Sequence, residues 1–447
     1  MKSRLAIAML SVAAACLAGI PATAAPQDDI RINEVESNGG SPGDWVELVN
    51  KGTGTVDVGG WVIKDNDNAH SFTIASGTTI PAGGFRAFDV ESAYGLGSSD
   101  QARLFLPGGT LVDSYTWTSH ASTTYGRCPD ATGSFVTTAA STKGAANSCP
   151  APAPGTWPGG SSVSNADNTN AFGTNLSDLS FQDASNLWAV KNGPSTLYRL
   201  APSGSVWTAN LTKSLRYANG SGDPDAEGVT YTPDGLFVAT ERDNNNSGSS
   251  LRKVLKFDPS AAGSTINATA EWNLTPDLPS GDPNEGLEAI TYVPDSYLTA
   301  HGFRDQHTGA AYNPASYSGH GNGLFFVGLE SNGQVYAYAL TGGGSYTRVA
   351  SFSSGHASVM ALSFDANTGH LWSVCDDTCS GHHAILDLGG SGDFAVTAVY
   401  NRPSGMPNYN NEGFAISPTC SGGTRQTLWA DDSNDSSHAL RKGTLNC

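Results

Sequence analysis

Charge is scarce in this chain, and basic charge is scarcer still. Only 14% of the 447 residues are charged, and 41 acids face 23 lysines and arginines, for a net charge of −18. A chain so poor in cations lacks the footprint for phosphate backbones, so nucleic acid is not expected among its partners. The acidic balance suits hard cations or simple solubility. After the first twenty residues no long apolar run remains, which excludes a spanning helix from the rest. No Cys-x-x-Cys pair and no histidine at ligand spacing accompanies the cysteines, which argues against zinc. There is no Gly-x-Ser-x-Gly elbow to present a serine nucleophile.

What is abundant is turn chemistry. The chain carries 53 glycines and 23 prolines between short Thr/Val/Tyr-rich runs. That combination predicts an all-β protein, and the length predicts two or more domains. Met1 to Ala24 has the form of a signal peptide: Lys2 and Arg4, an apolar run from Leu5 to Ile20, and Ala22-Thr23-Ala24 as the cleavage site. The mature protein is expected to be secreted, without an anchor, and monomeric. Cys16 leaves with the signal. The six that remain predict disulfides between neighbours, Cys128 with Cys149, Cys375 with Cys379 and Cys420 with Cys447, although six cysteines allow other pairings.

From residue 30 to 149, strand-like runs follow one another at short intervals, as in an immunoglobulin-like sandwich. RINEVES (31–37), DWVELVNKG (44–52), GGWVIKD (59–65), IPAGGF (80–85), YGRCPDATGSF (125–135) and KGAAN (143–147) resemble the lamin-tail domain. The resemblance implies a compact β-sandwich appended for binding or positioning. Its acids Glu34, Asp44 and Glu47 are expected to cap turns or pair locally, with Trp45 and Trp61 in the core. Residues 150–172, rich in Pro, Gly, Ser and Asn, read as a linker.

The rest, residues 173–447, repeats one hairpin. Its clearest copy runs from Asp223 to Asn244, where Glu227 opens one strand and Glu241-Arg242-Asp243 closes the next. Comparable starts occur at Ser177, Glu288, Met360 and Glu412, at intervals of roughly 50 to 70 residues, and third and fourth strands follow them. Such periods predict a β-propeller of five blades, with the segment near Phe172 closing the ring. The first strands line the axis, so Ser177, Glu227, Glu288 and Glu412 converge there. Lys191, Glu241, Glu330, Asp376 and Asp431 form a wider ring on the same face. Three carboxylates with a serine and carbonyl oxygens suit one axial Ca²⁺, and a hydrated acidic channel is the alternative.

DAEGVTYTPDGLFVATERDN, EGLEAITYVPD (285–295) and NEGFAI (411–416) are similar to the propeller family named for esterase-like activity of phytase. The series Ser177, Glu227, Glu288, Glu412 also resembles five-bladed calcium-dependent nucleotidases, the apyrases, in which Ser and Glu of successive blades ring one Ca²⁺. Met360 departs from that pattern. The resemblance implies a calcium-dependent phosphoric ester hydrolase. Lys191, Arg242 and Arg304 are then the anion-binding candidates, and Glu241, Asp376 or Asp431 the base. The other reading is a non-catalytic propeller that binds a small-molecule or polymeric extracellular ligand around a structural calcium.

Overall fold

The computed structural model describes residues 26–447. The expected signal segment therefore lies outside the described residues. The chain divides into two compact units, one ending at Pro150 and one spanning Ala151–Cys447. Among the described residues no helix is long and apolar enough to cross a membrane.

The first unit is a sandwich of a five-stranded and a four-stranded antiparallel sheet. Ile30–Glu36 and Trp45–Asn50 pair at the centre of the larger sheet. Asp100–Phe105 alternates buried and half-buried residues, as a strand covered on one face should. Between the sheets lie Ile32, Val46, Leu48, Ile63 and Leu104. Trp45 and Trp61 are buried as expected. Glu34 accepts the amide (3.1 Å) and hydroxyl (2.9 Å) of Thr142. Glu47 accepts the amide of Gly144 (2.5 Å), and Asp44 that of Leu96 (2.6 Å). Glu34 and Glu47 thus pin the segment after the last strand, and Asp44 the loop before Asp100–Phe105. Burial pushes the Glu47 carboxyl up to about 8.

The second unit is built from five sheets of four or five strands, plus one two-stranded ribbon. Their first strands are Leu176–Asp183, Pro224–Thr232, Leu287–Pro294, Ala361–Asp365 and Asn411–Ile416. Each packs against the next, and Leu176–Asp183 also meets Asn411–Ile416, so the series closes on itself. The region is propeller-like. These first strands are sheet edges whose unpaired backbone groups need partners. Side chains of the neighbouring strand supply them: Asp178 accepts the amide of Val229 (2.8 Å), Ser180 that of Tyr231 (3.0 Å) and Thr291 that of Phe364 (3.0 Å).

The expected linker is corrected over much of its length. Trp157 is buried among Trp372, Phe414 and Trp429, and its indole nitrogen donates to the Thr444 carbonyl (2.9 Å). Ser164–Asn165 pairs with Leu440–Asn446 as the outermost strand of the last sheet. That strand, rather than the segment near Phe172, joins the N-terminal end of the unit to its C-terminal strand. Both its residues are exposed, so no apolar alternation announces it. The three cysteine pairs are those expected, with Cα separations of 5.6, 6.0 and 6.1 Å.

Candidate metal centre

Four register shifts aim the side chains of the site. On Leu176–Asp183 the pairing passes from Leu176 with Lys191 to Asp178 with Val190, leaving Ser177 unmatched. The same skip leaves Glu227 unmatched between Ala226 and Gly228, Glu288 between Leu287 and Ala289, and Glu412 between Asn411 and Gly413. A bulge adds one residue to a strand and turns its side chain out of the ladder. The Ala361–Asp365 strand has no such shift, and Met360 stands just before it. Two of the bulges are followed by glycine for a steric reason. A Cβ on Gly228 would lie 2.8 Å from the Ile290 amide nitrogen, and one on Gly413 2.5 Å from the Ser177 carbonyl oxygen.

Glu227, Glu288 and Glu412 each bring a carboxylate oxygen within 4.8 Å of the other two. Glu227 and Glu288 are buried and Glu412 is half-buried. At that separation and an effective dielectric of ~20, each ionised pair repels by about 3 kcal/mol. Burial and then neighbouring acids raise all three carboxyls well above their usual range: Asp225 and Glu241 act on Glu227, Glu227 on Glu288, and Asp432 on Glu412. The Ser177 hydroxyl is 1% exposed and makes no hydrogen bond of full geometry, although it lies close enough to Glu227 to hold that carboxyl down slightly. Three hard oxygen donors around a buried, unsatisfied hydroxyl match the donor set of Ca²⁺. Asp225, Glu227 and Glu241 form a second set within the same 4.8 Å limit, so Glu227 belongs to both.

Glu227, Glu241, Glu288 and Glu412 line a polar pocket of about 240 Å³, with Glu330, Asp432, Met360 and Arg242 on its walls. Three amides, Asn175, Asn192 and Asn284, complete the lining. Asn192 donates to Glu227 (3.3 Å) and Asn410 to Glu412 (3.2 Å). Glu241 accepts the amide of Gly286 (3.1 Å) and is pushed by burial and by Asp225 to about 8. Burial, with Glu285, raises Glu330 to about 7. Arg242 Nε lies 2.6 Å from Asp225 Oδ2, and its Nη2 3.9 Å from Glu241.

Residues 23–119 match the Lamin Tail Domain model. Residues 162–298 match the model of the SdiA-regulated family. The first match falls within the unit that ends at Pro150 and the second within the propeller-like unit. No curated protein matches the chain. Among solved structures it is similar to glutaminyl cyclase of Myxococcus xanthus (10% identity, 63% of this chain and 95% of that one, TM-score 0.36). It is also similar to periplasmic gluconolactonase of Pseudomonas aeruginosa (13% identity, 61% and 85%, TM-score 0.30). A protein of unknown function from Desulfotomaculum acetoxidans is a third (11% identity, 60% and 69%, TM-score 0.31).

Of the wider ring read from the sequence, Glu241 and Glu330 line the pocket of the propeller-like unit, as does Arg242, one of the expected anion-binding residues. Lys191 donates to the Phe172 carbonyl (3.0 Å), and its charge reaches Asp432. Asp376 is drawn inward as the cap of the short helix Asp377–Cys379, accepting the Thr378 amide (3.0 Å). Asp431 is fully buried, 3.3 Å from Arg441, and accepts the amide of Asp435 (2.9 Å). Asp431 is thereby a tie within its own turn, and the next residue, Asp432, lines the pocket in its place. Arg304 lies in the insertion of the third sheet and is not among the lining residues. His320 of the same insertion is held by Asp295 (3.1 Å). His383 is a core residue: its Nε2 accepts the Trp429 indole N–H (2.8 Å), its Nδ1 bonds the Gly381 carbonyl (3.0 Å), and burial lowers it to about 3. Sequence reasoning missed Asp225, Asp432 and the three asparagines. Asp225 was recoverable, because it stands two positions before Glu227 on the same strand.

Proposed function

We propose that the protein is an exported calcium-binding propeller acting as a calcium-dependent phosphoric ester hydrolase, with the lamin-tail unit serving binding or positioning. The observation that carries the calcium reading is the convergence of three carboxylates, each unmatched at a bulge, beside the unpartnered Ser177 hydroxyl. Ser177, Glu227, Glu288 and Glu412 would hold the ion. Calcium there would supply the positive charge that polarises a phosphoryl oxygen. Arg242, kept in place by Asp225, would bind a second anionic oxygen. Glu241, at about 8, exchanges its proton in the range where a general base for water is effective. Export rests on the leader of the sequence, and three cysteine pairs at disulfide distance support it.

A second reading has its own observation. Arg242 is committed to Asp225 and Lys191 to a main-chain carbonyl, while acids dominate the pocket. That balance favours a structural axial ion in a non-catalytic ligand-binding propeller. Purified protein assayed on phosphomonoesters, nucleotides and simple esters, with calcium and with chelator, separates the two. Chelator-sensitive turnover abolished by Glu241→Gln supports the hydrolase. Calcium that raises only the melting temperature supports the binder. No calcium uptake in calorimetric titration overturns both.

A further inference from the structure

A further cluster of metal-ligating side chains shares no residue with the acidic pocket. His356 lies between the strands Tyr346–Ser353 and Ala361–Asp365, while Cys375 and Cys379 both follow the end of His370–Val374. One His356 ring nitrogen and both sulfurs lie within 4.8 Å of one another. The two sulfurs are joined as a disulfide. We propose that this disulfide and His356 form a redox-gated site, which on reduction binds one Zn²⁺ through Cys375 Sγ, Cys379 Sγ and His356, leaving a fourth position open.

The geometry favours this in three ways. Zinc takes thiolate at ~2.3 Å and imidazole at ~2.0 Å in a tetrahedron, so three donors already within 4.8 Å need only a small adjustment once the sulfurs separate. His356 Nε2 lies 3.2 Å from the Ser373 carbonyl. Donation to that carbonyl leaves the lone pair on Nδ1 and orients the ring, which is the arrangement that metal-bound histidines adopt. Finally, access is one-sided. Cys375 is wholly buried, while Cys379 is half-buried next to the exposed Asp377 and Thr378.

The chemistry balances with an external dithiol as reductant. Its thiolate attacks Cys379 Sγ, the Cys375–Cys379 bond breaks, and the dithiol leaves as its own disulfide. Each cysteine sulfur gains a proton. Zn²⁺ then displaces both thiol protons to solvent. Sequence reasoning set zinc aside because no histidine sits at ligand spacing from the cysteines. The histidine comes from a different segment of the same sheet's neighbourhood.

The test uses the full chain, oxidised or reduced with a phosphine, titrated with Co²⁺ and then Zn²⁺. Reduced wild type should show a thiolate-to-cobalt charge-transfer band and take up one equivalent of zinc, and oxidised protein should show neither. Cys375→Ser/Cys379→Ser, reduced, keeps the other four cysteines of the mature chain and should lose the band. His356→Ala should bind zinc at least about tenfold more weakly. Far-UV circular dichroism checks that the reduced chain keeps its strands. No band in reduced wild type overturns the proposal. So does uptake that survives the double variant, that is indifferent to His356→Ala, or that accompanies loss of the strand spectrum.

Discussion

Replacing Glu227 by glutamine tests the axial site at the one residue shared by both carboxylate sets. The side chain keeps its size and loses its charge. In the calcium-loaded protein a ligand disappears. In the metal-free protein a carboxyl that burial and its neighbours raise well above its usual range, and that therefore costs the fold stability at alkaline pH, disappears as well. The two states should therefore respond in opposite directions. A ligand present at one hundred times its dissociation constant stabilises the folded state by ~2.7 kcal/mol. The second unit has about 300 residues, and at ~2.1 cal/mol/K per residue its unfolding entropy is ~0.6 kcal/mol/K. Calcium should then raise its melting temperature by about 4 °C. Differential scanning calorimetry with calcium and with chelator should show that shift in wild type. In Glu227→Gln the shift should vanish, while the metal-free melting temperature at pH 8 should stay level or rise. A variant that melts lower without metal and still gains the full calcium shift would refute the reasoning, since Glu227 would then be a structural acid and no ligand.

The metal-free protein should grow less stable as pH rises. Glu330 and Glu241 are raised to about 7 and about 8, so the fold retains protons that the unfolded chain releases near 4.5; their contribution is intact below that value and lost on the way to pH 8. Melting temperature in chelator should fall across this window, and the calcium shift should grow across it, because the ion needs ionised carboxylates. Trp157→Ala should destabilise the second unit by about 3–5 kcal/mol, read by denaturant titration; an effect below about 1 kcal/mol would return residues 151–166 to the status of a linker. Asp365→Asn should cost about 3–5 kcal/mol in the same assay, because Asp365 and Arg425 form a buried two-point pair at 2.7 and 2.6 Å and the arginine would be left uncompensated. Gly413→Ala should cost about 1–3 kcal/mol, as the added methyl meets the Ser177 carbonyl; a neutral outcome would mean that the first strands have room to separate.

The repeat was legible because its chemistry is local. Proline and glycine at Pro233-Asp234-Gly235 announce the turn, and Thr232 indeed pairs with Gly235. Residues that depend on what a distant segment does were not legible. Ser164–Asn165 is exposed on a sheet edge, and main-chain bonds to Arg441 and Lys442 place it without any side-chain pattern. The difference between Asp431 and Asp432 is a matter of local geometry at the strand end. Asp431 pairs in register with Asn411, whereas the Asp432 amide bonds the Asn410 carbonyl (3.0 Å) one step beyond the ladder. Alternation counted outward from Leu428 passes through Ala430 to Asp432, the acid that lines the pocket, whereas the last acid of the repeat read from the sequence was Asp431.

That bulge also explains why the acid and the glycine occur as a pair. An unmatched residue can point toward the axis only if the strand that carries it approaches the next one closely. At Glu412 the following position lies 2.5 Å, measured from a would-be Cβ, from the Ser177 carbonyl of the adjoining first strand. At Glu227 the neighbour is the Ala289–Ile290 backbone of the next strand. Glycine therefore lets the ring close, and the bulge puts the acid where closure brings it next to its counterparts. Ala289 follows Glu288 in place of glycine and is fully buried, so that junction admits one methyl group. At the fourth sheet there is no unmatched residue, no glycine and no acid, only Met360. Met360 reaches the pocket wall from the position just before its strand, without a bulge and without an oxygen donor. An acid placed at Met360 would consequently lack the geometry of the other three, and Met360→Glu should leave calcium affinity within about twofold of wild type while raising repulsion in the metal-free pocket.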